Sequence, residues 1–340
     1  MTLTRKQFIL ALSSIIALLI ALMAYCLFAP LSKNKETVYI YIDNDDTIDS
    51  LSAKLSNDCK GLGSAALTIL TRHSKYRDNM RSGRYEITPS MGSLQFFRHL
   101  RNGQQSPVKL TIPSVRTRER LAEELSNKLM MSKDELLSYL DNNDSCALYG
   151  ADTASIMAMF IPNTYEIYWN ISVQKFLKKM NEEQKAFWNG KRKSEADALE
   201  LTPLEVVTMA SIVDEETANN AEKPMVAGMY YNRLKQGMPL QADPTIKFAL
   251  KQFELRRIYN NMLRVKSPYN TYVNTGLPPG PIRIPSVAGI DAVLHLVKHD
   301  YLYMCAKEDF SGTHNFARTY SEHLANAAKY SKALNDRGIK

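Results

Sequence analysis

The stretch Thr202-Pro203-Leu204-Glu205-Val206-Val207-Thr208-Met209-Ala210-Ser211-Ile212-Val213-Asp214-Glu215-Glu216-Thr217 decides how the chain is read. Thr202 and Glu205 have the spacing of a capping box. Pro203 takes the first helical position, where its missing N–H costs nothing. A helix is predicted from there to the acids. It is apolar over most of its circumference, so it belongs inside a core. A buried helix needs neighbours on every side, which calls for a substantial mixed domain around it.

Three carboxyls close this helix. At about 100° per residue, with Leu204 as zero, Thr208, Ser211 and Glu215 fall within about 60° and form the polar strip. Glu215 is therefore expected to face water. Glu216 falls near 120°, between Ile212 and Met209, and Asp214 near the opposite edge of the apolar side, beside Val207. Apolar surroundings disfavour the charged form of a carboxyl and raise its pKa. Neighbouring carboxylates and the negative helix end push the same way. Glu216 is thus the candidate for an acid that keeps its proton near neutral pH and donates it to a leaving oxygen. The competing reading is a plain solvated helix end, since acids usually lie on surfaces.

Outward from this helix, the chain reads as α+β. Thr37–Ile42 is a β-branched and aromatic run, hence a strand. Asp45-Asp46-Thr47 opens a helix from Ile48 to Leu55, and Gly83–Ile87 is a second short strand. Pro89-Ser90 is expected to cap a further helix whose apolar face is Leu94, Phe96, Phe97 and Leu100. Together these make a small α+β module. Val108–Ile112 reads as a strand, and Thr117–Leu129 and Lys133–Leu140 as amphipathic helices. Asn142–Ser145 reads as a loop and a domain boundary. The motif-dense sequence follows from about Ala154.

The N-terminus is different in kind. No charged residue occurs between Gln7 and Ser32, and Phe8–Ala29 is almost wholly apolar. About 20 such residues span a bilayer, a longer run than a secretory signal carries. Tyr25-Cys26-Leu27 is not a cleavage site. The expectation is a retained single-pass anchor. Arg5 and Lys6 before the span favour a cytoplasmic head slightly over Lys33 and Lys35 after it. The whole chain has 340 residues, 43 Lys+Arg against 35 Asp+Glu and a formal charge of +8. This composition excludes collagen-like and disordered classes and suits an anionic partner. Four cysteines make no disulfide framework, and Cys59, Cys146 and Cys305 read as buried free thiols, with one pair among them as the alternative.

Three motifs are set aside. Gly61-Leu62-Gly63-Ser64-Ala65-Ala66 has dinucleotide-binding spacing but no strand before it, so it reads as a turn into a helix, and no nucleotide is expected. His295 and His299 stand at i, i+4, but a third zinc ligand is lacking, so they read as helix-end histidines and no metal is expected. Lys191-Arg192-Lys193 reads as a solvated loop, and no nucleic acid is expected.

Six ordered motifs carry a resemblance. Phe160-Ile161-Pro162-Asn163-Thr164-Tyr165-Glu166 comes first. Next are Ala210–Thr217, Tyr231-Asn232-Arg233-Leu234 and Met238-Pro239-Leu240-Gln241-Ala242-Asp243-Pro244-Thr245. The last are Tyr269-Asn270-Thr271-Tyr272 with Gly276–Ile282, and Gly312-Thr313-His314-Asn315-Phe316 with Thr319 and Glu322-His323. In this order they resemble the YceG-like endolytic murein transglycosylase family, over roughly residues 40–335. The family often has Glu-Lys-Glu or Glu-Arg-Glu where this chain has Asp214-Glu215-Glu216. The carry-over of the catalytic acid lands on Glu216, and no role passes to Asp214, Glu215 or Asn163.

The resemblance implies five segments: a cytoplasmic head at 1–7, a transmembrane helix at 8–30, a LysM-like module at 37–105, a connecting strand and helices at 106–150, and a catalytic α+β domain at 151–337. It also implies a plasma-membrane protein whose catalytic part lies on the periplasmic or extracellular side. The implied reaction is a lyase cut within peptidoglycan strands, between N-acetylmuramic acid and N-acetylglucosamine, leaving 1,6-anhydro ends. Glycan strands and the membrane are the partners, with peptidoglycan synthases as further ones, and no cofactor is needed. A muramidase-type hydrolase and a non-catalytic anchored glycan-binding scaffold are the alternatives.

Candidate substrate-binding residues follow from side-chain chemistry. The Asn232 amide and the Arg233 guanidinium suit sugar hydroxyls, acetamido groups or a lactyl carboxylate, with helix capping and an internal salt bridge as the alternative. Gln241 and Asp243 precede Pro244. Asp243 would orient Glu216, bind a hydroxyl, or merely cap the next helix. Tyr269, Asn270 and Tyr272 offer flat faces with polar tips for pyranose rings, or serve as core residues. Gly276–Pro281 is expected to hold a groove wall, and His314 to line the cleft or serve structure.

Overall fold

The computed structural model describes residues 4–255 and 257–337; Met1–Leu3 of the expected head and Arg256 lie outside the described residues. The chain forms two compact units. One runs to Leu110 and takes back Lys128–Met130 and Tyr165–Ile171. The other comprises Thr111–Asn127, Met131–Thr164 and the chain from Ser172 onward.

The first unit opens with α1 (Arg5–Phe28), capped by Thr4 and Gln7, so the helix starts ahead of the expected span. At 1.5 Å per residue it is about 36 Å long, enough to cross a hydrocarbon layer of about 30 Å. Its apolar side chains point outward, and none of its residues is buried. Then come β1 (Val38–Ile42), α2 (Ile48–Asp58), α3 (Gly61–Arg72), β2 (Gly83–Ile87) and α4 (Ser93–Asn102). β1 and β2 pair antiparallel with Ile40 opposite Tyr85. The two-residue strand period turns Ile40, Ile42, Tyr85 and Ile87 inward, where Leu51, Leu55, Leu67, Phe96 and Leu100 complete a core. Pro89-Ser90 does not cap α4. The Met91 amide bonds back to the Thr88 carbonyl and makes a turn, and the helix starts after Gly92. The glycine run at Gly61 does lead into a helix.

Past β3 (Val108–Thr111) come α5 (Arg118–Ser126), α6 (Lys133–Leu140) and α7 (Asn143–Ala147). The last replaces the loop expected at Asn142–Ser145, because the Asn142 side chain accepts the Ser145 amide and starts a helical turn. β4 (Thr164–Ile167) pairs with β3. α8 (Val173–Phe187) is followed by α9 (Lys191–Ala198), where a loop was expected. Lys191 pairs with Glu195 and Lys193 with Asp197, both at i, i+4, and Arg192 reaches Asp291.

The second unit is built around α10 (Pro203–Glu216), with its capping box formed as read. All eight residues from Val206 to Val213 are buried, and each large apolar side chain among them contributes about 1.5–3 kcal/mol. Around α10 lie α9, α11 (Lys223–Lys235), α12 (Asp243–Leu250) and α13 (Val287–Leu294). A hairpin of β5 (Tyr303–Ala306) and β6 (His314–Ala317) packs on α14 (Tyr320–Asp336). α13 ends at Leu294, so His295 and His299 do not share a helical face. His295 meets Glu195 at 3.0 Å, and His299 lies beyond the helix with Nε2 at 3.0 Å from the Met225 carbonyl. Cys59 and Cys146 are buried and Cys305 half-buried, all as free thiols.

Ser211 ties α10 to the Gly276–Ile282 loop. Its hydroxyl is fully buried, donates to the Thr208 carbonyl at 2.7 Å and accepts the Ile282 amide at 3.0 Å. Ser211→Ala strands that amide. It is expected to cost about 1–3 kcal/mol, read as an earlier urea midpoint.

Candidate active site

The last turn of α10 presents three carboxyls in a row, and each meets a different partner. Asp214, with a side chain 4% exposed, meets Lys223 Nζ at 2.8 Å and accepts the Ser286 amide at 2.6 Å. Only a glycine fits at 289, since a Cβ there would stand 2.4 Å from an Asp214 oxygen. Glu215 does not face water as expected. Arg116 grips it through Nε and Nη2 at 2.8 and 2.9 Å, and Arg283 adds Nη1 at 3.0 Å. Those arginines lie 99 and 68 residues away in sequence, where a helical wheel cannot see them.

Among the described residues no salt bridge reaches Glu216. The Tyr230 hydroxyl of α11 donates to its Oε1 at 2.6 Å. Burial pushes the carboxyl up to about 7; the Tyr230 bond and the charge of Lys247 oppose the push, and Asp243 and Glu215 add to it. Tyr230, 2% exposed, is itself pushed well up by burial and by the neighbouring Glu216, so it remains a donor.

Glu216 opens onto a cavity of about 280 Å³ within the second unit. Its walls are Tyr230 and Arg233 of α11, Gln241 and Asp243 at the start of α12, Tyr272, Tyr303 of β5, and Tyr320 and His323 of α14. The volume lies at the small end for ligand sites, which suits part of a longer chain. Tyr272 donates to Asp243 at 2.5 Å, and burial pushes its phenol up. Arg233 holds the Leu240 carbonyl at 2.8 Å and the Gln241 side chain at 2.9 Å, and its guanidinium lies 5.4 Å from the Tyr303 ring. Gln241 sits at φ 51°, a left-handed conformation that costs free energy and persists because Arg233 and the Thr271 carbonyl pin it. Burial pulls His323 down, and Arg233 adds to that.

Of the residues singled out in the sequence, Glu216, Arg233, Gln241, Asp243 and Tyr272 come together here. Four lie outside the cavity. Asn232 spends its amide on the His299 and Tyr301 carbonyls. Asn270 is fully buried. It donates to the Leu263 and Val265 carbonyls and accepts the Tyr272 amide at 2.9 Å, which fixes the turn that carries Tyr272. His314 is bound through its amide and Nδ1 to Glu222, at 2.6 and 3.0 Å. Tyr269 lines a different cavity. The sequence reading missed Tyr230, Tyr303 and Tyr320, and gave His323 no role. Tyr230 had a signal, because it stands at i, i+3 to Arg233 on one helical face. Asp243 is the first residue of α12 and makes no cap. Among the described residues, no group of three His, Cys, Asp or Glu side chains stands ready for a metal.

The YceG-like family model matches residues 40–329. The endolytic murein transglycosylase of Bacillus subtilis (strain 168) is 27% identical over 328 residues, covering 92% of this chain and 90% of that protein. The protein of the same name from Streptococcus pneumoniae (strain R6) is 28% identical over 302 residues. That match covers 77% of this chain but only 53% of the pneumococcal protein, so the chain spans about half its length. A crystal structure of a YceG-like protein from Listeria monocytogenes superposes with a TM-score of 0.57 at 26% identity, covering 86% of this chain and 99% of that one.

Two substitutions are expected to move Glu216 in opposite directions. Tyr230→Phe removes a donor that favours the carboxylate and raises the titration midpoint by about one pH unit. Asp243→Asn removes a like charge and lowers it. Carbon-detected NMR titration of the Glu216 carboxyl reads both.

Proposed function

This chain belongs to the YceG-like family, and from that premise we propose that it is a membrane-anchored lytic transglycosylase cutting within peptidoglycan strands. The observation that carries the proposal is Glu216: a carboxyl in no salt bridge among the described residues, pushed up to about 7, facing a cavity walled by four tyrosines with Arg233, Gln241, Asp243 and His323. The family resemblance lands its catalytic acid on the same residue.

The chemistry asks little else of the protein. Glu216, protonated, gives its proton to the bridging oxygen between N-acetylmuramic acid and N-acetylglucosamine as the bond to C1 breaks. Tyr230 holds Oε1, which leaves Oε2 to carry the proton. The resulting carboxylate then takes the proton of the muramyl C6 hydroxyl as that oxygen bonds to C1. Glu216 is restored and the product ends in a 1,6-anhydro ring, with no water consumed. One acid/base carboxyl suffices because the nucleophile is built into the substrate, whereas glycosidases ordinarily use two carboxyls. Gln241, Asp243 and Tyr272 are the substrate-binding residues of this proposal.

Asp243 in the same cavity favours a second reading, hydrolysis of the same bond. Its Oδ1 is engaged by Tyr272, which suits a positioning role better than activation of water. Product mass separates the two, since the anhydro end is lighter by one water.

The remaining assignments belong to the same proposal. α1 anchors the protein in the plasma membrane, with the rest on the outer side. The catalytic domain is taken as residues 151–337 and the connecting segment as 106–150. Residues 37–105 are read as a LysM-like glycan-binding module. The order strand, helix, helix, strand, with the two strands antiparallel, supports that reading. Nascent strands are the proposed substrate and peptidoglycan synthases the proposed partners. The net charge of +8 assists encounter with a carboxylate-bearing polymer.

Glu216→Gln is expected to lower the release of anhydro-muropeptides from sacculi by about 10²–10⁴. Release at the wild-type rate would mean that the chemistry assigned to Glu216 is wrong. The acidic form of Glu216 is present below its pKa and lost above it, so kcat/KM is expected to fall about tenfold per pH unit above about 7. In Asp243→Asn that limb moves to lower pH.

A further inference from the structure

Tyr269 lines a second cavity of the same unit, of about 380 Å³, which the proposed reaction does not use. Its walls are aromatic. The Phe248 ring lies 4.7 Å from Tyr269 and 6.3 Å from Phe253. Among its lining residues Arg116, Arg118 and Lys251 stand against one acid, Glu119, with Glu254 near Arg116 and Asp152 near Tyr269. Arg116 meets Glu215 through Nε and Nη2, and Arg118 meets Asp141 through Nε and two carbonyls through Nη1. Each retains one terminal nitrogen that has no hydrogen-bond partner among the described residues. Lys251 is exposed and has no ion-pair partner among the described residues.

The two cavities share α12. Asp243 at its start lines the first, while Phe248, Ala249 and Lys251 at its end line the second. Eight residues at 1.5 Å each put about 12 Å between those ends.

We propose that the second cavity docks the peptide stem of a peptidoglycan strand, its carboxylates on the cationic rim and its aliphatic side chains on the aromatic floor. This rests on the proposed activity at Glu216. Stem peptides hang from muramyl units and combine carboxylates with short aliphatic side chains, the pair of features that this cavity complements. Three to five extended residues reach about 10–17 Å, which matches the length of α12. The cleft at Glu216 then reads sugar and the second cavity reads peptide, so stem-bearing strands are preferred over bare glycan.

The test uses the full chain in detergent. Calorimetry follows binding of a soluble muramyl pentapeptide, and turnover is compared on stem-bearing strands and on strands stripped of peptide by an amidase. Lys251→Glu reverses an exposed charge, and Phe253→Ala removes part of the floor. Each is expected to weaken peptide binding by about five- to tenfold and to slow turnover of stem-bearing strands alike, with stripped strands unaffected. Peptide binding should also weaken as salt rises. Equal peptide affinity in wild type and both variants overturns the inference, as does an equal loss on both kinds of strand. Wild-type protein that takes up peptide but cleaves neither strand leaves the docking site standing and removes the proposed activity. Wild-type protein that cleaves both equally and takes up no peptide does the reverse.

Discussion

The site depends on how one helix end distributes compensation among three adjacent carboxyls. Burying a lone carboxylate is expensive, and the chain answers that expense in two ways. Asp214 has a lysine at 2.8 Å and Glu215 has two arginines. Glu216 has a phenol. A neutral donor offsets only part of the burial cost, so the cheaper course for Glu216 is to hold a proton near neutrality. Three chemically similar groups on one turn are thereby separated into two fixed ion pairs and one acid, which is how environment assigns roles to carboxyls elsewhere.

The two ion pairs do more than remove charge. Lys223 starts α11, seven residues before Tyr230, and Asp214 also fixes the start of α13 through Ser286. Arg283 follows the Gly276–Ile282 loop, which Ser211 ties to α10. The elements around Glu216 are thus registered against the very turn that carries it. An error in either pair would shift Tyr230 or the loop and so change the environment of Glu216 without touching it.

The frame was legible in local sequence, because its signals are local. The capping box at Thr202, the apolar run to Val213, the two short strands of the first unit and the helix at Lys133–Leu140 all stand where the residues put them. Glu216 was legible too, from angle alone. Misreadings arose where a partner lies far along the chain or where a side chain redirects the backbone. Glu215 reads as wet until Arg116 and Arg283 are seen, and Asn142–Ser145 reads as loop until the Asn142 cap is seen. Side-chain chemistry singled out Asn232, Asn270 and His314 without saying which atoms their polar groups would meet. In the fold those groups bind carbonyls and Glu222.

Asn270 is nevertheless informative about the site. It holds the Tyr272 amide, Tyr272 holds Asp243, and Asp243 raises the pKa of Glu216. The chain of contacts runs from a buried amide to the acid through a carboxylate already engaged by a phenol. Tyr272 fixes Asp243 in place at the start of α12. A base for water must be free to accept a proton, while a neighbour that tunes an acid must stay in place. The Tyr272 bond to Asp243 meets the second requirement, which suits the proposed use of Glu216 as the single acid and base.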